Sequence, residues 1–129
     1  MRVALLVVFS LSLLPVAHAA ESPASAEYLR CEYRVDPLGI GVTQPRLSWE
    51  MSDARRGAAQ TAYQILVASS REKLADDEGD LWDSGKVASD QSSQIVYAGK
   101  PLASRMRCCW KVRLWDAEQK ASDYSKPAL

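Results

Sequence analysis

Apolar and polar residues alternate one for one along much of this chain, and a period of two commits a backbone to extended strands whose side chains point to opposite faces. The cleanest run spans residues 29–35, with Leu29, Cys31, Tyr33 and Val35 on one side and Arg30, Glu32 and Arg34 on the other. A second follows Pro45, where Leu47, Trp49 and Met51 alternate with Arg46, Ser48 and Glu50. Residues 61–68 are apolar on both faces, Tyr63, Ile65 and Val67 against Ala62, Leu66 and Ala68, which predicts a central or covered strand. The longest run, 106–115, places Cys108, Trp110, Val112 and Leu114 in a core and turns Cys109, Lys111, Arg113 and Trp115 outward. Shorter strands are predicted at 81–85 and 94–97, and a last one begins near Tyr124 and is left incomplete. Six or seven short strands separated by turn residues make the fold all-β, a two-sheet antiparallel sandwich.

The one helical signal is short. Ser69 stands three residues before Glu72 in a capping-box pattern, and Gly79 is placed to end the helix after one or two turns.

The first residues do not fit the strand pattern. Met1-Arg2 supplies a positive charge, residues 3–14 are apolar apart from Ser10 and Ser12, and Pro15 precedes Ala17-His18-Ala19. That order is the pattern of a secretory leader, and the run is shorter than the roughly 20 apolar residues a membrane span needs. Residues 1–19 are therefore read as a signal peptide, 20–27 as a linker and 28–129 as one sandwich domain, exported to the periplasm or outside the cell. Once Arg2 leaves with the leader, 15 basic residues stand against 16 acidic, a balance that excludes a nucleic-acid partner and an anionic membrane surface.

The composition also excludes much chemistry. His18 is the only histidine, so the mature chain has none for a Ser-His or Cys-His nucleophile and none to ligate zinc. The dense acidic group Asp76, Asp77, Glu78, Asp80 and Asp83 lacks the alternate spacing of a calcium loop and reads as a solvated loop. No catalytic residue, metal or cofactor is expected. Cys31 and Cys108 both fall on inward faces, which allows one internal disulfide, although buried free thiols are the simpler reading. Cys109, turned outward, is exposed to intermolecular disulfide formation.

Five phrases carry a more specific signal. They are Cys31-Glu32-Tyr33-Arg34-Val35-Asp36-Pro37-Leu38-Gly39-Ile40, Gln44-Pro45-Arg46-Leu47-Ser48-Trp49, Gln60-Thr61-Ala62-Tyr63-Gln64-Ile65-Leu66-Val67-Ala68, Leu81-Trp82-Asp83-Ser84-Gly85-Lys86-Val87 and Trp110-Lys111-Val112-Arg113-Leu114-Trp115-Asp116. In this order and spacing they resemble the N-terminal fibronectin-III-like domain of bacterial α-L-rhamnosidases of glycoside hydrolase family 78. The resemblance implies a fibronectin type III or immunoglobulin-like sandwich, truncated before a large downstream (α/α)6 barrel whose carboxylates hydrolyse terminal α-L-rhamnosides with inversion. Departures are Cys109 in place of an aromatic residue, Gly41 in place of a polar one and Lys120 in a turn that commonly carries glycine. In fibronectin type III domains a tyrosine follows Leu102's position by six residues and ties the corner through its hydroxyl. Here that place is Cys108, so the corner is expected to be held by packing alone.

The resemblance therefore implies a non-catalytic accessory domain whose partners are downstream domains of a longer enzyme. The alternative is a free-standing secreted sugar-binding or adhesion module, with rhamnose-containing glycans as ligands. Trp115, beside Lys111 and Arg113, and Trp82 on a short edge strand are the candidate contacts for either a neighbouring domain or a sugar.

Overall fold

A computed structural model describes residues 23–36 and 42–129; the expected leader at 1–19, with His18, and the loop residues Pro37, Gly39 and Gly41 lie outside the described residues. The elements run β1 (Ser25–Cys31), β2 (Arg46–Ser52), β3 (Ala62–Ala68), α1 (Arg71–Ala75), β4 (Trp82–Asp83), β5 (Ile95–Val96) and β6 (Cys109–Trp115). They form two three-stranded antiparallel sheets in the orders β1-β2-β5 and β4-β3-β6, the sandwich that the alternation predicts. The last segment, 121–128, runs beside β6 but joins it through the isolated bridges Trp115↔Ala121 and Trp110↔Ala128 instead of a full ladder. Between those bridges two hydroxyls substitute for backbone acceptors: Val112 N donates to Ser125 Oγ at 3.1 Å and Leu114 N to Ser122 Oγ at 3.0 Å.

The inner faces meet as the pattern requires. Trp49, Ile65, Val112 and Leu114 are at most 1 % exposed, and Leu29, Cys31, Leu47, Tyr63, Val67, Ile95, Tyr97 and Trp110 pack with them in the main cluster. Each aliphatic side chain buried to this degree contributes about 1.5–3 kcal/mol. Trp49 meets Tyr63 edge to face at 5.2 Å, and its indole N–H donates to Gln60 Oε1 at 3.0 Å. Gln60 in turn donates to the carbonyls of Ser89 and Gln91, so a buried polar chain ties β2 to the segment before β5. As expected of a central strand, β3 is buried on both faces.

Several local expectations are corrected. β1 begins at Ser25 and stops at Cys31, so residues 25–27, read as linker, pair with Ser52, Met51 and Glu50. Glu32 and Tyr33 adopt left-handed backbone (φ 49° and 65°), which ends the alternation and leaves Tyr33 and Val35 exposed instead of inward. The helix is capped by Ser70, whose Oγ accepts from Lys73 N at 3.2 Å, and not by Ser69. Ser69 instead donates from its amide and hydroxyl to the Asp80 carboxylate. The helix ends on Asp77, left-handed at φ 57°, with Glu78 N donating to Lys73 O and Asp77 N to Leu74 O, a Schellman closure two residues before Gly79.

The corner before β6 is not held by packing alone. Leu102 and Cys108 do pack against the core, but the Tyr97 hydroxyl reaches the same loop and donates to Lys100 O. Gly99 lies so close that a Cβ there would sit 2.4 Å from Leu81 O and 2.6 Å from the tyrosine hydroxyl. In the β6 hairpin the left-handed position is taken by Gln119, φ 63°, and not by Lys120. Asp116 closes that turn, its Oδ1 accepting from Glu118 N and Lys120 N, while Arg55 bridges its Oδ2 to Asp53.

Candidate functional site

The outer face of the β4-β3-β6 sheet divides into two parts. Under α1, Leu66, Ala68, Leu74 and Cys109 form a second small core with Tyr124 packed against it. Cys109 is 2 % exposed, with its thiol 3.7 Å from Ala68 O, so it does not stand outward as a site for intermolecular disulfides. The alternation that turned it away from the main core was correct; the helix covers the face to which it turned.

The rest of that face is a row of cations and rings. Lys86 Nζ lies 4.9 Å from the Trp115 ring centroid and the Arg113 guanidinium 5.0 Å from the same ring. Arg113 also lies 4.8 Å from the Tyr124 ring, and Lys111 Nζ lies 4.4 Å from it. Lys111 is 7 % exposed and its ammonium pairs with Asp77. From Nε and Nη2, Arg113 donates to Gln64 Oε1 at 2.9 and 2.7 Å, and Gln64 passes the connection on to Asp83 at 2.9 Å. Burial raises the Tyr124 phenol above its ordinary pKa, with Arg113 opposing.

The structure therefore brings Lys111, Arg113 and Trp115 together and separates them from Trp82. Trp82 pairs with Val67, packs against the main core and meets Tyr97 edge to face at 5.4 Å. Lys86, Gln64 and Tyr124 complete the row and were not legible as part of it. Their only sequence signal is that two outward cations, Lys111 and Arg113, need partners from neighbouring strands. Each ring in this row carries a cation, and each cation holds a ring or an acceptor of the same chain.

Three side chains of the acidic cluster are likewise engaged. Asp77 holds Lys111, Asp83 accepts from Gly85 N at 2.8 Å, and Asp80 accepts from Ser69 and Lys73. Hydrogen bonds from the Ser69 side chain, then from its backbone and from Lys73, hold Asp80 at a pKa of about 2. Among the described residues no group of three or more His, Cys, Asp or Glu side chains is placed to hold a metal ion. Cys31, Cys108 and Cys109 are free thiols in this structure. Burial, with Glu32 and Cys108 nearby, pushes Cys31 up to about 11, and burial also raises Cys108 and Cys109.

The family model described as the Rha78A-like N-terminal immunoglobulin domain matches residues 26–129. An α-L-rhamnosidase of Streptomyces avermitilis is 50 % identical over 97 residues, which is 75 % of this chain and 9 % of that protein. One from Formosa agariphila is 46 % identical over 90 residues, 70 % of this chain and 10 % of the relative. Among solved structures, α-L-rhamnosidase from Dictyoglumus thermophilum superposes with a TM-score of 0.78 at 39 % identity, covering 81 % of this chain and 12 % of that one. The Streptomyces avermitilis enzyme complexed with L-rhamnose gives 0.77 at 47 % identity, covering 81 % and 10 %. The chain thus spans about a tenth of the length of the relatives it matches.

Proposed function

Because this chain belongs to the Rha78A-like N-terminal immunoglobulin-domain family, we propose that it serves as the non-catalytic N-terminal accessory domain of an exported α-L-rhamnosidase. The observation that carries this reading is the mismatch in coverage: three quarters of the chain matches one end-domain's worth, 9 %, of a relative named for rhamnoside hydrolysis. Export rests on the leader pattern of residues 1–19. The lack of its own chemistry rests on the dense acidic stretch, where Asp77 is bound to Lys111, Asp80 to Ser69 and Lys73, and Asp83 to Gln64 and the Gly85 amide. Glycoside hydrolysis instead needs a pair about 5–10 Å apart, one protonated and one ionised.

In this role the sandwich supplies packing and orientation, and the chemistry belongs to domains outside it. Purified chain incubated with an aryl α-L-rhamnoside is expected to release no more product than blank. Release above blank that disappears in Asp77→Asn or Asp83→Asn would overturn the proposal. The sugar-binding alternative would use the Trp115 face, whose rings already carry Lys86, Arg113 and Lys111.

A further inference from the structure

The outer face of the opposite sheet, β1-β2-β5, has a different character. Among the described residues the exposed large hydrophobic side chains include Tyr28 (55 %), Tyr33 (58 %) and Val96 (49 %), and none lies on β3 or β6. Val96 pairs with Arg46, so the two side chains share the outward face, and the Arg46 guanidinium lies 5.2 Å from the Tyr33 ring. Farther along the same face, Arg30 lies 4.7 Å from the Tyr28 ring and reaches Glu50 only at 3.8 Å. Two tyrosine-arginine pairs and a valine thus line one side of the sandwich.

The backbone is strained where it presents these rings. Between Glu27 and Arg30 the register slips against β2, and the extra residue is Tyr28, left-handed at φ 51°. Tyr33 is left-handed at φ 65°. Left-handed backbone is a genuine outlier for a bulky side chain, and bulges of this kind re-aim the residue they carry. Such strain persists only where the surroundings hold it, and it concentrates at sites that bind. Both tyrosines are turned outward by that strain and away from the core.

We infer that this face, centred on Tyr28, Arg30, Tyr33, Arg46 and Val96, is where the sandwich docks on the rest of an α-L-rhamnosidase polypeptide; this rests on the accessory-domain reading above. The occupant presents hydrocarbon to the two rings and Val96 and a carboxylate or carbonyl acceptor to Arg30, since Glu32 already holds the Arg46 guanidinium at 2.9 Å. Length supplies that occupant, since the relatives are roughly ten times longer than the stretch matched here. Contacts between domains of one chain bury about 600–1,500 Å², and tyrosine and arginine are the residues that such interfaces favour. The Trp115 face is the poorer candidate because Trp115 and Tyr124 are partly buried, whereas Tyr28 and Tyr33 are more than half exposed.

The test replaces the matched segment of the Streptomyces avermitilis enzyme with this chain and compares hydroxyl-radical footprints of the chimera and of the 129-residue chain alone. Labelling of Tyr28 and Tyr33 is expected to fall about fivefold in the chimera, as for side chains entering an interface core, with Trp115 and Tyr124 unchanged. Protection at Trp115 and Tyr124 instead, or none at all, overturns the assignment. Protection that appears in the chain alone as its concentration rises also overturns it, because the occupant is then a second copy. The variant Tyr33→Ser, at a position more than half exposed, is expected to leave the circular dichroism of the chain unchanged and to restore labelling at Tyr28 in the chimera. Rhamnoside hydrolysis by the chimera reports separately on the accessory-domain reading. A soluble chimera that keeps the footprint but has lost hydrolysis removes that reading and leaves the surface. An active chimera without the footprint does the reverse.

Discussion

The Tyr97 hydroxyl donates to Lys100 O at 2.6 Å, with Leu81 O a second acceptor at 3.3 Å, so a ring buried against Trp82 also fastens the loop that leads toward β6. Replacing it tests how much that bond contributes beyond packing. Tyr97→Phe is expected to lower unfolding free energy by about 1 kcal/mol, the usual net worth of one such bond, whereas Tyr97→Ala, which also empties the ring's place, should cost about 3–5 kcal/mol. Urea unfolding of the three chains decides between them. No loss in Tyr97→Phe would mean that the hydroxyl contributes nothing, and equal losses in both variants that the ring does not.

Trp49 and Gln60 form a second buried pair. Gln60→Met keeps the volume but leaves the indole N–H without an acceptor, at a cost of about 2 kcal/mol and a fall of roughly 10 °C in Tm. Adding Trp49→Phe removes the orphaned donor as well, so the double variant should lose less than the two singles combined. Strict additivity in calorimetry would count against the bond.

Acid should weaken the turn after α1. Asp80 ionises at about 2 in the folded chain against an ordinary 3.8, so the folded state favours the carboxylate. Its contribution is fully present above pH 3.8 and is lost as pH falls through 2. Tm measured from pH 5 down to pH 2 should therefore drop more steeply in the wild type than in Asp80→Asn.

The thiols should rank by access. At pH 8 Cys109, beneath α1, and Cys31, pushed to about 11, are expected to react with a disulfide reagent more slowly than the half-buried Cys108. Rapid labelling of Cys109 in the folded chain would show that α1 does not cover it.

The outward row should be worth more than a set of surface ion pairs. Arg113→Ala removes two ring contacts and two hydrogen bonds to Gln64 at once, with an expected loss of about 1–2 kcal/mol. A loss that vanishes in molar salt would mark it as screened surface charge instead.

The alternation in the sequence was enough to place Leu47, Trp49, Ile65, Val112 and Leu114 in one core, because a residue's parity along a strand decides its face. What parity cannot tell is what lies above the other face. Cys109 has outward parity and is buried, because a five-residue helix, Arg71–Ala75, from far upstream covers it. Tyr33 and Val35 have inward parity and are exposed, because two left-handed residues break the strand first, and neither is the glycine that would have announced a turn. The candidate site was half legible for the same reason. Lys111, Arg113 and Trp115 share one strand, whereas Tyr124, Gln64 and Lys86 reach them from three other segments. Tyr97 was hidden by position, since the corner tyrosine stands here just after β5, before the loop and not after it.

The grip of segment 121–128 on β6 sets how this domain would give way under load. Its bonds to Trp110, Val112 and Leu114 lie one beyond another along the chain and are shared between amides and two serine hydroxyls. A pull at Leu129 directed away from the sheet would meet them singly, Ala128 first, then Ser125, then Ser122. The edge would peel like a zip at low force and would re-form in the reverse order, while the pairing between β3 and β6 behind it carried none of the tension.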